Sequence, residues 1–289
     1  MTRIIAILNI TRDSFSDGGR YLEPEAALEH ARQLVADGAD IIDIGAESTH
    51  PDAEDVPAQI EIDRLTPVIE QLKADGVRVS VDTYKPAVMR HVLALGVDLI
   101  NDVTALRDPE AVAAVRDSAA RLIIMHSRAS AGRAERVAPA WGVTPASSRC
   151  NSDTVVDEIV AFFQRRVGEL TAAGIDRRRL ILDSGMGFFL SPRAEDSLAV
   201  LRELERIAAL GLPVCVSTSR KSFIGSVLGG EGTPRPVSQR AAGTLATEIW
   251  AAWHGAAYIR THDVRALRDA LSMLTAIERG APLSPKAGD

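Results

Sequence analysis

Several things are scarce in this chain of 289 residues, and each scarcity excludes a class of protein. Cysteine occurs only as Cys150 and Cys215. That is too few for a disulfide-stapled scaffold, and it fits a reduced, cytoplasmic enzyme. No apolar run approaches the ~20 residues of a membrane span, so no membrane partner is expected. The start, Met1–Thr2–Arg3–Ile4, enters an apolar run at once, and no signal peptide is expected. Basic charge is thin as well. The net charge is −6 and no basic cluster could track a nucleic-acid backbone, which argues against nucleic acid as a partner. Lysine is confined to Lys73, Lys85, Lys221 and Lys286. An acidic protein can still bind an anion where its few cations converge.

What the chain does have is a repeated grammar. Eight short apolar runs, Ile4–Leu8, Ile41–Ile44, Val77–Val81, Val97–Ile100, Leu122–Met125, Leu180–Leu182, Pro213–Val216 and Ala256–Ile259, each stop at or just before a polar residue. Continuous Val/Ile/Leu runs read as parallel strands buried on both faces. Helical stretches separate them, beginning at Pro24, Pro57, Pro86, Asp108, Asp153, Glu195, Pro236 and Asp263. Eight strands alternating with helices predict an α/β protein, a single (β/α)8 TIM barrel over residues 1–280, with a disordered tail at 281–289. In that fold the active site gathers at the C-terminal ends of the strands. The polar residues that end the runs are therefore the candidates for chemistry. Two polar connections interrupt the pattern on that same face: Thr11–Tyr21 and the long Arg128–Ser152, which reads as a lid.

Asp82 ends the third run and Asp183 the sixth. A carboxylate in a barrel mouth is costly unless paired or hydrogen-bonded, so an ion pair or a loop cap is the competing reading for each. With Asn101, which both donates and accepts, they suit a flat heterocycle edge carrying several N–H groups. Opposite them the charge changes sign. Ser219–Arg220–Lys221–Ser222 opens a short helix after the seventh run, and Arg260–Thr261–His262 closes the eighth. Loops after strands seven and eight, next to a helix N-terminus, are the recurrent phosphate site of this fold. A transition-metal cage is not expected, because His126 and His262 fall on separate strands and no His-x-His follows the first run. Lys221 lies beyond its strand, which disfavours a Schiff base. Trp250 and Trp253 read as packing, either core or subunit contact.

Together, Leu8–Asn9–Ile10–Thr11, Asp13–Ser14–Phe15–Ser16–Asp17–Gly18–Gly19, Glu47–Ser48–Thr49, Val81–Asp82–Thr83, Asn101–Asp102, Asp183 with Gly185–Met186–Gly187–Phe188, Ser219–Arg220–Lys221–Ser222 and Arg260–Thr261–His262–Asp263 resemble the dihydropteroate synthase family over nearly the whole chain. The resemblance implies a folate-pathway transferase that joins 6-hydroxymethyl-7,8-dihydropterin diphosphate to 4-aminobenzoate and releases diphosphate. It implies that Asp82, Asn101, Asp183 and Lys221 hold the pterin with Met125 beneath its ring, and that Asp82, Asp183 and Lys221 serve catalysis. Asn9, His50, Arg260 and His262 would take the diphosphate, with Mg²⁺ at Asn9. Thr11, Phe188, Phe189 and Ser222 would shape the aminobenzoate site. A cytoplasmic homodimer is also implied.

The departures from the family pattern are specific. The usual arginine after Ser-Thr is His50, the usual Asp-Pro-Gly is Asp183–Ser184–Gly185, and Met-His-Met reads Met125–His126–Ser127. An imidazole cannot match bidentate recognition of phosphate by a guanidinium. His50–Pro51–Asp52–Ala53 and Gly185–Met186–Gly187–Phe188–Phe189–Leu190 resemble the mobile, sulfonamide-insensitive branch of the family. Two other readings stand beside the synthase: a catalytically silent pterin-binding homologue and a pterin-dependent methyltransferase-type domain. The latter lacks the cationic side that Lys221, Arg260 and His262 supply here.

Overall fold

All eight apolar runs are strands in the computed structural model, which describes residues 2–10, 24–47, 55–128, 152–230 and 232–279. Thr11, His50, most of the 128–152 connection and the tail fall outside the described residues. The strands are β1 (Arg3–Asn9), β2 (Ile41–Gly45), β3 (Val79–Asp82), β4 (Leu99–Asp102), β5 (Arg121–Met125), β6 (Leu180–Asp183), β7 (Val214–Val216) and β8 (Tyr258–Thr261). They pair in sequence order, and β1 pairs with β8 to close a parallel barrel. Around it run α1 (Pro24–Ala36), α2 (Ala58–Ala74), α3 (Pro86–Ala94), α4 (Pro109–Val115), α5 (Ser152–Ala172), α6 (Ala194–Arg202), α7 (Leu204–Ala208), α8 (Ser222–Gly229), α9 (Ala241–Trp253) and α10 (Val264–Arg279).

Local sequence sets most of these bounds. Proline at the first turn opens α3 and α4, where a missing N–H costs nothing, and Asp108 caps α4 through the Glu110 amide. Gly96, at φ +78°, follows α3 and bonds back to the Leu93 carbonyl, a turn that an L side chain resists. The helix expected from Glu195 to Ala209 divides into α6 and α7, because Glu203, at φ −109° and ψ 24°, leaves helical geometry. The helix expected from Pro236 begins at Ala241, after a single 3₁₀ turn at Val237–Gln239.

Two apolar layers result. The larger lies between barrel and helices, where α2 contributes Leu65, Val68, Ile69 and Leu72 on one helical face. The smaller fills the barrel itself: Ile5, Ile41, Leu99, Ile123, Ile181, Cys215 and Tyr258, one from almost every strand. Side chains alternate along a strand, so the residue two positions on faces the same interior, one level nearer the mouth. That step leads from Ile41 to Asp43, Leu99 to Asn101, Ile123 to Met125, Ile181 to Asp183 and Tyr258 to Arg260. The apolar plug thus fixes the position of a polar floor directly above it.

Candidate active site

Arg260 is the centre of that floor. Its Nε donates to Asp43 Oδ2 at 2.6 Å and its Nη2 to Asp82 Oδ2 at 2.8 Å. Asn101 Nδ2 donates to the same Asp43 oxygen at 3.2 Å. The two sides inferred from sequence therefore meet: the guanidinium expected at the leaving group spans two carboxylates, one of them expected on the heterocycle. Burial pushes Asp82 up to about 7, helped by Asp43, Asp102 and Glu61, although Arg260 pulls the other way. The carboxylates hold the Arg260 guanidinium charged against the cost of burial.

Asp43 is the residue that sequence reasoning missed. It hides inside an apolar run, fully buried, and its Oδ1 has no hydrogen-bond partner among the described residues. The available signal was an acid in the Ile41–Ile42–Asp43–Ile44 run, on the same face as Gly45 and next to the strand bearing Asp82.

Asp183 and Lys221 form the opposite side. Asp183 is buried and accepts from the Gly185 amide at 2.8 Å; burial raises its pKa, against the attraction of Lys221. Gly185 is obligatory here. Its φ is +66°, and a Cβ would fall 2.2 Å from the His126 carbonyl oxygen. Lys221 precedes α8, donates to the Met186 carbonyl at 3.2 Å and stands 5.2 Å from the Phe189 ring centroid. Desolvation lowers it to about 8, with Arg260 adding to the shift and Asp183 opposing it.

Met125 and Phe189 pack with Val103, flanked by Tyr84 and Phe188, into a small apolar patch at the mouth. The Arg128 amide holds the Phe189 carbonyl at 2.9 Å. Ser222 lies close by, its Oγ 3.2 Å from where a Cβ on Gly187 would stand. Asn101 keeps its place because its neighbour Asp102 accepts from the Thr104 and Leu106 amides at 2.7 and 2.8 Å. Those bonds hold Ala105 and Leu106 at φ 58° and 57°, a strained conformation for residues with a Cβ.

On the rim, His262 Nδ1 lies 2.9 Å from Ser219 Oγ. Burial, with Arg220 and Arg260 adding to it, drives the imidazole down to about 3. His262 is therefore a neutral hydrogen-bonding group at pH 7 and not the cation that its motif suggested. Ser219 Oγ accepts from the His262 backbone amide at 3.2 Å, which frees its own proton for Nδ1 and places the ring proton on Nε2. Asn9 ends β1 with its side chain exposed, and a Cβ on Gly45 would lie 3.6 Å from Asn9 Oδ1 and 3.7 Å from Asp82 Cβ. Behind β8, Glu248 of α9 is buried against Thr261; desolvation raises it to about 8, and its Oε1 has no partner among the described residues.

Residues 5–262 match the family described as pterin binding enzyme. The chain belongs to the dihydropteroate synthase family. Escherichia coli dihydropteroate synthase type-2 is 44% identical over 279 residues, 96% of this chain and 97% of that protein. The solved dihydropteroate synthase of Xanthomonas albilineans with 4-aminobenzoic acid is 40% identical, with a TM-score of 0.83 over 97% of this chain and 94% of that one. That of Burkholderia cenocepacia, complexed with 7,8-dihydropteroate, is 35% identical, with a TM-score of 0.82 over 97% and 92%. The barrel is thus that of a dihydropteroate synthase. Among the described residues no helix is long and apolar enough to cross a membrane, and no cluster of His, Cys, Asp and Glu could hold a metal by itself.

Proposed function

We propose that the chain condenses 6-hydroxymethyl-7,8-dihydropterin diphosphate with 4-aminobenzoate to give 7,8-dihydropteroate and diphosphate. The observation that carries this reading is the floor itself: Asp82, Asn101 and Asp183 offer acceptors to a guanidine-like edge, with Lys221 and Arg260 beside them. The methylene–oxygen bond breaks and its electron pair leaves with the diphosphate. Positive charge then spreads into the pterin, and the amine of aminobenzoate bonds to the methylene and sheds a proton. Fixed carboxylates at Asp82 and Asp183 favour that developing charge without reorganising. Arg260 and the neutral donor His262 receive the leaving oxygens. Met125 and Phe189 supply an apolar bed for the rings. Mixing both substrates with the protein and measuring diphosphate and dihydropteroate tests the assignment. Pterin binding without release of diphosphate would leave the silent-homologue reading in its place.

Mg²⁺ fits the donor chemistry at Asn9, a single hard oxygen at the strand end, since this ion keeps waters and is shared with substrate phosphates. Its contribution when bound is to neutralise the departing diphosphate. Insensitivity to sulfonamides is supported by His50–Pro51 and by the Phe188–Phe189 pair, of which Phe189 is buried against Met125. Sub-micromolar inhibition by sulfamethoxazole, competitive with aminobenzoate, would remove that part of the proposal and leave the synthase intact. Homodimer formation is supported by Trp250 and Trp253, exposed at 47% and 56% on α9, and is checked by light scattering of wild type and Trp253→Glu. The buried free thiol of Cys215 fits a cytoplasmic setting, which cell fractionation tests.

A further inference from the structure

We infer that Lys85, which lies outside the substrate floor, is a positioning residue for the wall between Asn9 and Asp82; this rests on the synthase reading above. That wall is the exit of β2. Gly45 approaches both side chains, as its notional Cβ shows, and its carbonyl accepts the Ile10 amide at 2.8 Å. The two residues after it are gripped from outside the mouth. Arg64 of α2 donates to the Ala46 carbonyl at 3.0 Å, and the Lys85 ammonium donates to the Glu47 carboxylate. The same ammonium also reaches Glu61, in the first turn of α2, and the Val56 carbonyl.

The cluster is built rather than incidental. Glu61 is 1% exposed and accepts from Thr83 Oγ1 at 3.1 Å, and Tyr84 donates to Glu47 at 3.2 Å. Thr83 directly follows Asp82, so one ammonium ties the exits of β2 and β3 to α2. Glu47 and Glu61 face each other closely enough to repel, and the Lys85 ammonium sits between them. Removing one partner of a buried ion group is costly because it leaves charge uncompensated. Here the loosened strip would carry Gly45 away from Asn9 and Asp82. Misplacement of about 1 Å beside a reacting group can cost ~100-fold in rate.

The test compares kinetics with exchange. Lys85→Met should lower kcat about 30-fold or more and raise KM for the pterin diphosphate about tenfold, with KM for aminobenzoate within about twofold. Exchange of the Ile10 amide should quicken about tenfold. Lys85→Arg, which can still span two carboxylates and a carbonyl, should restore most of each. If Lys85→Met is too unstable, Lys85→Met/Glu61→Gln removes one of the two carboxylates left facing each other and with it their repulsion. That protein should recover part of the lost melting temperature but keep the altered KM. Wild-type kinetics in the double variant, equal shifts in both KM values, or unaltered Ile10 exchange in Lys85→Met would each overturn the inference. A wild-type protein without turnover sinks the synthase reading alone, and Ile10 exchange still decides this one.

Discussion

The exits of β3 and β7 each carry a lysine on the rim of the same barrel, and the two are held in opposite ways. Lys85 sits between two glutamates and a carbonyl, and the glutamates keep its pKa raised although burial works against it. Lys221 meets an aromatic face, one carbonyl and a more distant Asp183, and desolvation brings it to about 8. The first is a fixed cation whose bonding capacity is already taken up by protein. The second keeps its charge marginally and, among the described residues, has donors left for a ligand. Within one protein, then, a lysine partnered by carboxylates reads as a brace, and one partnered by a ring and a carbonyl reads as a binding group.

The largest break in this contrast comes from Asp183→Ala, which strips Lys221 of the anion that acts on it most strongly. It should cost roughly 2–4 kcal/mol of transition-state stabilisation, about 30- to 1000-fold in kcat/KM, and a near-normal rate would refute the role of Asp183. Next comes pH. Asp82 must be ionised and sits near 7; Lys221 must be protonated and sits near 8. Thus kcat/KM should rise as pH increases through about 7 and fall about tenfold per unit above about 8. Lys221→Arg should abolish the upper limb, while Lys85→Arg should keep both; an upper limb surviving in Lys221→Arg would assign it to another group. The smallest effect concerns stability behind β8. Glu248 takes up a proton on folding, since its pKa goes from 4.5 to about 8, so it makes the protein less stable as pH rises between those values. Glu248→Gln should stabilise the fold by about 1–3 kcal/mol at pH 8 and change little at pH 4.5, as thermal melts at the two pH values would show.

Much of this could be read from residues alone. Parallel strands buried on both faces announce themselves as apolar runs, and their polar last residues led to Asp82, Asn101, Asp183 and Arg260. What stayed hidden depended on pairing between strands. Asp43 was masked because it lies within such a run, and its value appears only once β8 brings Arg260 beside it. The state of His262 was hidden for a similar reason: a motif names an imidazole, whereas Arg220, Arg260 and burial decide its charge. Lys85 carried the same signal of scarcity as Lys221, but its partners come from residues 47, 56 and 61, which no local pattern links.

One member of the inner plug has a use unrelated to catalysis. Cys215 is wholly enclosed among side chains from six other strands, so no reagent can reach its sulfur while the strands stay closed. With Cys150 replaced by serine, the rate of alkylation by a small maleimide would report how often the whole cylinder opens. That turns the lone interior thiol into a clock for kinetic stability, which can be read in crude extract without denaturant.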